Sequence, residues 1–324
     1  MVLGMRSGLE LCGRFYDEVV RHVVDVPHSA ALMGRGSEVL GFDDEMSTDH
    51  NCEARVLLFV ADGAELHPEV PGTFEGRPAF VEVHTLRDYF LKQLAFDVDA
   101  ELTPMDWLTF PESILRQHTA GGVFHDDLGL EAIRDRLAYY PDDLWRYLMI
   151  TAWWRVHPEM NLVGRSGYVG DDLGSAVIGA QLVRDLMRLC FLIERQYAPY
   201  SKWFGTAFSR LSCGPSIGPL LGAVLRAEDW TEREEALAAA YRAVGELHNR
   251  MTVTPPVELG VEQMWGRPFK VVWGDFIGAL SADLEDPFVR RIAERWPAGG
   301  IEEIRDVLRK PAERRQVLAL LDSR

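Results

Sequence analysis

The chain has 324 residues, of which 47% are hydrophobic and 26% charged, the proportions of a soluble globular protein. That length is enough for two ordinary domains, each with its own core. The formal charge of −16 makes nucleic acid an unexpected main partner, because binding to phosphate backbones needs a basic surface. No apolar run approaches the roughly 18 residues of a membrane helix, and the N-terminus lacks a secretory-signal pattern. We therefore expect a cytoplasmic protein that does not bind membranes.

The first hundred residues mix helical and strand-like patterns. Ser7 and Glu10 have capping-box spacing and predict a helix over residues 7–25. Short apolar runs bounded by Gly, Pro or Asp predict buried strands at 29–34, 54–60 and 78–85. Thr85, with Asp88 three positions later, predicts the start of another helix. These elements indicate a compact α/β unit.

Downstream of about residue 110 the periodicity becomes helical and continues to about residue 250. After this, the segment "PFKVVWGDF" predicts either a short strand returning to the sheet or an extended segment, and further helical patterns follow. We therefore predict an α+β fold, with an α/β domain and a small mixed sheet at residues 1–110 and a helical bundle at residues 111–324.

A glycine-serine turn follows the first predicted strand, in the stretch "GRGSEVLGFDDEMSTDHNCEARVLLFV". Backbone N–H groups of a glycine-containing turn approach phosphate closely, and a serine hydroxyl supplies another donor. We therefore predict that Gly36 and Ser37 bind the phosphates of a nucleotide.

Oxygen ligands for a divalent metal follow on the next two predicted strands. Asp49 and Asn51 lie two apart, so they point to one side of a strand, and Glu82 is an acid in the middle of an apolar run. We predict that these three residues bind Mg²⁺, with Mn²⁺ as the alternative. Because the Asn51 carbonyl is neutral, the site should bind the metal more weakly than a set of three carboxylates.

Basic and aromatic residues cluster on and after the long predicted helix. Arg184, Arg188 and Arg195 recur at intervals of four and seven, and the stripe leads to Lys202 among aromatic residues. Arg184 and Lys202 are candidate contacts for a triphosphate and its base. The alternative is ordinary ion pairing along a helix, and the sequence leaves it open.

Histidines and acids also gather in "HTAGGVFHDD" at residues 118–127. A zinc site is one interpretation, but the glycine pair and the lack of an i, i+4 histidine pair weaken it. We predict a turn there.

Several segments together resemble the nucleotidyltransferase superfamily and, more closely, the bacterial family of uncharacterised domain number 4037. The segments that carry this resemblance are "GSEVLGFDDEMSTDH", "VEVHTLRDYF", "DWLTFPESILRQHTAGGVFHDDLG" and "LVRDLMRLCFLIERQYAPYSKWFGTAFSRL", within residues 8–275. The resemblance implies an N-terminal nucleotidyltransferase-type domain and a C-terminal helical domain, as in aminoglycoside nucleotidyltransferases. Family members read Asp-His-Asp-Trp-Gly where this chain has residues 49–53 as "DHNCE", so Asn51 replaces the second metal-binding acid.

The leading hypothesis is Mg²⁺-dependent transfer of a nucleoside monophosphate (NMP) from a nucleoside triphosphate (NTP) to a hydroxyl or amine of a small molecule. The catalytic residues would be Asp49 and Glu82. Two alternatives remain open at this stage. One is a nucleotide- or metabolite-binding regulatory protein that has lost catalysis at Asn51, and the other is a scaffold adapted to a different small-molecule reaction.

Overall fold

The computed structural model describes the chain in these ranges: 7–43, 53–263, 266–295, 299–301, 314, 315 and 319. Contacts divide the chain into two compact units. We call Met1–Ala138 with Ile304–Val317 the sheet unit, and Tyr139–Glu303 with Leu318–Arg324 the helical unit. Within the described ranges, every helix is too short or too polar to cross a membrane.

The sheet unit contains a five-stranded mixed sheet with strand order β3-β4-β2-β1-β5. Its strands are β1 (His28–Leu32), β2 (Ala54–Val60), β3 (Thr73–Phe74), β4 (Arg77–His84) and β5 (Gly122–Asp126). β1 pairs antiparallel with both β2 and β5, β2 runs parallel to β4, and β3 is antiparallel to β4. The small mixed sheet and its first, second and fourth strands are confirmed.

In the described ranges, α-helices accompany this sheet. They are α1 (Gly8–Glu18), α2 (Leu86–Leu94), α3 (Pro104–Thr109), α4 (Glu112–Thr119) and α5 (Leu130–Arg136). The predicted capping box is present, because the Ser7 hydroxyl accepts the Glu10 N–H and the Glu10 carboxylate accepts the Ser7 N–H. Thr85 caps α2, because its hydroxyl accepts the Asp88 N–H at 3.1 Å. Local capping thus sets where both helices begin.

The two faces of the sheet have different chemistry, because successive side chains on a strand point to opposite sides. On one face, Val56 and Leu58 of β2 pack with Phe15 of α1 in the apolar core. The opposite face carries Arg55 and Glu82, since the register pairs Arg55 with Phe80 and Leu57 with Glu82. This second face is the polar face.

The sheet unit extends beyond the domain boundary placed near residue 110 in the sequence analysis. β5 pairs with β1 at Ala30 and His125, and α5 follows directly, so the contact division falls after Ala138. Local periodicity does not reveal this boundary, because β5 is an edge strand that pairs with β1, a strand distant from it in sequence.

The helical unit contains the predicted bundle. Its elements are α6 (Asp142–Glu159), α7 (Leu162–Tyr168), α8 (Asp172–Ile193), α9 (Phe204–Ser209), α10 (Gly214–Arg226), α11 (Trp230–Arg250), β6 (Gly260–Gln263), β7 (Lys270–Trp273), α12 (Phe276–Ala282) and α13 (Pro287–Arg295). Of the two alternatives for "PFKVVWGDF", a strand that returns to the main sheet is not what forms; the segment is extended at β7, which pairs with β6 in a separate two-stranded sheet.

Gly121 fixes the entry into β5, and its replacement tests how far the edge strand depends on it. Its φ is 73°, and a Cβ there would collide with the carbonyl oxygen of Leu32. Gly63 has a φ of 79° with open space around it, so it shares the left-handed strain without the collision. We predict that Gly121→Ala lowers the thermal unfolding midpoint more than Gly63→Ala, with an additional cost of about 1–3 kcal/mol. Equal midpoints for the two variants would contradict this packing.

Candidate functional site

A tight turn at residues 34–37 follows β1, next to the start of β2, because these two strands are antiparallel. Gly36 has a φ of 122°, which side-chain-bearing residues rarely adopt, and a Cβ there would collide with the Glu38 carboxylate. The Ser37 carbonyl accepts the N–H groups of Leu40 and Phe42 at 3.1 and 3.0 Å. These backbone hydrogen bonds close the turn, and Ser37 itself is 9% exposed.

Arg55 of β2 holds this turn from inside the protein. Its Nη1 donates to the Met33 carbonyl at 3.3 Å, and its Nη2 donates to the Arg35 carbonyl at 2.7 Å and to Glu38 Oε1 at 3.4 Å. The Arg55 side chain is 5% exposed and that of Glu38 is 8% exposed. A guanidinium presents several donors in a rigid fork, so one buried side chain fixes two backbone carbonyls and neutralises one carboxylate.

Glu38 is a buried acid, and two opposing effects act on its pKa. Burial raises the pKa of the Glu38 carboxyl above its ordinary value of 4.5, while the Arg55 guanidinium opposes that rise. The ion pair with Arg55 is therefore what allows a charge at this buried position.

Glu82 of β4 lies on the polar face, the same face as Arg55. Its Oε1 is 3.5 Å from Nη2 of Arg35 and its Oε2 is 3.6 Å from Nε2 of His84. The neighbouring His84 ring and the charges of Arg55 and Arg35 lower the pKa of Glu82, although partial burial works against them. Glu82 is therefore an ionised carboxylate, one third exposed, beside the residue that precedes the Gly36-Ser37 step.

The structure describes some of the predicted site residues and not others. Asp49 and Asn51 lie outside the described residues. Gly36, Ser37 and Glu82 belong to the sheet unit, and Arg35 links the turn to Glu82. The contact between the turn and Glu82 therefore involves only described residues.

Arg184 and Lys202 belong to the helical unit. Arg184 is exposed on α8, and the Nζ of Lys202 lies 4.6 Å from the centroid of the Trp203 ring. The predicted stripe does not include Arg195, because α8 ends at Ile193 and Arg195 has a φ of 51°. Contact of Arg184 and Lys202 with a nucleotide stays a prediction.

Sequence reasoning missed the two arginines that organise this region. Arg55 lies in the strand "ARVLLFV", where a charged residue inside an otherwise apolar run is the available signal. Arg35 lies within the glycine turn itself and was assigned no role. Their partners are backbone carbonyls and acids that come together only through strand pairing, which the local pattern does not specify.

The segment at residues 118–127 is not the turn that we predicted. Gly122–Asp126 form β5, paired with β1, because the alternation after the glycines suits an edge strand. His118 lies in α4, where burial lowers its pKa to about 4 and its Nδ1 hydrogen-bonds to the Ile114 carbonyl. His118 is therefore a neutral core histidine.

Comparison with known proteins finds a family model that is similar to part of the chain. Residues 107–204 match the model of a domain of unknown function, DUF4037. The DUF4037 segment includes Arg184 and Lys202, whereas Gly36, Ser37 and Glu82 precede it.

A solved structure with similarity to this chain is that of a nucleotidyltransferase-like protein from Exiguobacterium sibiricum 255-15. The two share 11% sequence identity with a TM-score of 0.32, and the match covers 82% of this chain and 97% of that chain. A search of curated proteins finds no match.

Removing Arg55 tests whether it stabilises the turn through Glu38. We predict that Arg55→Met destabilises the protein by about 3–5 kcal/mol near neutral pH, because Glu38 is left buried without its partner. The pKa of Glu38 is already raised in the folded state and rises further without Arg55, so the loss is smallest below pH 4.5 and grows as pH increases through the folded pKa. Thermal unfolding of both proteins at pH 5 and pH 8 measures this difference.

The matched control is the double variant Arg55→Met/Glu38→Gln. It lacks the titrating carboxyl, so the pH-dependent part of the loss should disappear. A loss of the same size at both pH values in Arg55→Met would show that Glu38 is not the partner that matters.

Proposed function

We propose that the protein transfers an NMP group from an NTP to a hydroxyl or amine of a small molecule. In this reaction the acceptor oxygen or nitrogen forms a bond to the α-phosphorus, the bond from that phosphorus to the bridging oxygen breaks, and pyrophosphate leaves. The acceptor proton is released. The observation that carries the proposal is the ionised Glu82 carboxylate on the polar face, next to Arg35 of the glycine turn.

The glycine turn supplies the groups that would bind the triphosphate. Backbone N–H groups of Gly36 and Ser37 are the predicted phosphate donors. Arg35 adds a guanidinium whose side chain is 69% exposed, so it is able to exchange its 3.5 Å contact with Glu82 for a phosphate oxygen. Arg55 would keep the turn in shape from beneath, since it holds the carbonyls of Met33 and Arg35.

Glu82 fits the role of a ligand for a divalent cation. Its lowered pKa keeps it ionised at neutral pH, and a hard cation such as Mg²⁺ prefers carboxylate oxygens. With Asp49 and Asn51 as further ligands, a bound Mg²⁺ or Mn²⁺ would neutralise the triphosphate and stabilise the leaving pyrophosphate. The same lowered pKa makes Glu82 a weak proton acceptor, so its role is electrostatic.

Arg184 and Lys202 of the helical unit are further candidate contacts for the nucleotide, on the grounds of their sequence pattern. Lys202 lies against Trp203, and Arg184 projects from α8 into solvent. Both side chains suit phosphate oxygens. The Lys202 ammonium is a compact point charge, and the Arg184 guanidinium is a planar fork of donors.

A second candidate is a protein that binds a nucleotide or metabolite without catalysis. Asn51 offers a neutral oxygen where the family reads an acid, and both Glu82 oxygens already face basic partners, Arg35 and His84. A site with one fewer charge and a paired carboxylate would still bind a nucleotide while binding the metal weakly.

Replacing Glu82 separates transfer from simple binding. We predict that Glu82→Gln abolishes the Mg²⁺-dependent increase in NTP affinity, because the amide cannot supply the negative charge that attracts the cation. Isothermal titration with ATP, GTP, CTP and UTP, each with and without Mg²⁺, measures this, and pyrophosphate release with candidate acceptors measures turnover.

Glu69→Gln is the matched control, since Glu69 is an exposed acid in the same unit and should leave both readouts unchanged. The second candidate would be favoured if the wild-type chain binds an NTP without releasing pyrophosphate and Asn51→Asp restores that release. Absence of binding for all four nucleotides would exclude transfer from an NTP and nucleotide binding alike.

The helical unit is tested through its cations. We predict that Lys202→Met and Arg184→Met each weaken NTP binding by about tenfold, the loss expected when one charge-assisted hydrogen bond of about 1.5 kcal/mol is removed. Arg250→Met is the control, because Arg250 is an exposed arginine of the same unit. Unchanged affinity in both test variants would limit nucleotide binding to the sheet unit.

A further inference from the structure

Two histidines and one aspartate come together at the edge of the sheet, away from the polar face. His125 and Asp127 are two apart on and after β5, so they point to the same side, and His28 lies across the strand pair. The Asp127 N–H donates to the His28 carbonyl at 3.0 Å, which fixes this alignment. The three side chains offer ligand atoms that all lie within 4.8 Å of one another.

This cluster is on the α1 side of the sheet, whereas Glu82 is on the polar face. The register pairs His125 with Ala30, which belongs to the apolar core beneath α1. Tyr16 of α1 stacks on His125 with ring centroids 6.2 Å apart. The cluster is therefore distinct from the candidate nucleotide site.

His28 is arranged as metal-binding histidines usually are. It is 6% exposed, and its Nδ1 hydrogen-bonds to the Val26 carbonyl at 2.8 Å. A carbonyl can only accept, so Nδ1 carries the proton and Nε2 keeps its lone pair. At metal sites, a histidine that binds the ion through one ring nitrogen usually donates a hydrogen bond from the other, and this bond orients the ring.

We propose that His28, His125 and Asp127 form a binding site for a divalent transition metal ion, Zn²⁺ being the ion that fits best. Two imidazole nitrogens and one carboxylate oxygen are a ligand set that Zn²⁺ accepts, with the fourth position left for water. His125 and Asp127 have side chains 38% and 47% exposed, so an ion can reach them from solvent, while His28 anchors the site inside.

Only small movements are needed to form the site. Tetrahedral zinc with bonds of about 2.0–2.1 Å places its ligand atoms about 3.4 Å apart. His125 Nε2 and Asp127 Oδ2 are now 2.9 Å apart in a hydrogen bond, and Tyr16 hydroxyl lies 2.9 Å from His28 Nε2. Binding exchanges these two hydrogen bonds for bonds to the ion: the proton on His125 Nε2 passes to Nδ1 through solvent, and the Tyr16 hydroxyl turns away from His28 Nε2.

The bound ion would connect β5, the edge strand, to β1. A ligand that binds only the folded state stabilises it in proportion to the logarithm of its concentration over the dissociation constant. Zinc should therefore raise the thermal unfolding midpoint of the full chain, a readout that does not depend on any catalytic activity.

The test is isothermal titration of ZnCl₂ into the full chain after treatment with a chelator, together with thermal unfolding and the visible absorption of bound Co²⁺. We expect one Zn²⁺ per chain, a raised unfolding midpoint and the intense absorption of tetrahedral cobalt. His125→Ala and Asp127→Asn should each weaken zinc binding by at least about tenfold, since loss of an outer partner alone costs that much. Both residues are partly exposed, so these variants should fold, in contrast to changes at buried His28.

His67→Ala and Asp25→Asn are the matched controls, because both residues are exposed in the same unit and should leave zinc binding unchanged. Glu82→Gln should also bind zinc normally, since it lies on the other face. The proposal is overturned if the wild-type chain binds no zinc, if His125→Ala binds it as tightly as wild type, or if Glu82→Gln abolishes binding.

Discussion

The buried guanidinium of Arg55 is the interaction on which the candidate site depends. Its hydrogen bonds reach the backbone carbonyls of Met33 and Arg35 and the carboxylate of Glu38. A charge in this position is costly unless every donor is used, and loss of one partner from a buried pair costs several kcal/mol. The conformation of the glycine turn thus depends on the Arg55 guanidinium, which must use its donors, as well as on the turn's own backbone hydrogen bonds. Because the Arg55 charge also helps to lower the pKa of Glu82, one side chain influences both the turn and the predicted metal ligand.

The separation of the two sheet faces bears directly on the proposed function. Alternation along β2 sends Val56 and Leu58 into the core under α1 and Arg55 to the polar face. On the polar face, Arg35 and His84 surround the Glu82 carboxylate. A nucleotide and its cation would have to replace the Arg35 contact. Such an exchange suits a site that assembles when substrate binds. Arg35 would then contact a phosphate instead of Glu82, and Glu82 would contact the cation instead of Arg35.

Local patterns in the sequence were sufficient for much of the architecture. The capping box at Ser7 and Glu10, the three apolar runs and the Thr85 cap each depend on neighbours within a few residues, so they could be recognised directly. β5 and the role of Arg55 could not be recognised in this way, since both depend on pairing between distant segments. The cluster of His28 with His125 and Asp127 was missed for the same reason, because its members are nearly one hundred residues apart and only the β1–β5 register brings them together.

The central claim is that the glycine turn and Glu82 form one nucleotide and metal site above Arg55. The most direct test is a crystal structure of the full chain with a non-hydrolysable NTP analogue and Mn²⁺, in which anomalous scattering locates the metal. The account predicts a manganese peak within about 2.5 Å of a Glu82 carboxylate oxygen, with the triphosphate against the backbone of residues 35–37. Nucleotide and manganese bound elsewhere, with the Glu82 to Arg35 contact intact, would contradict it.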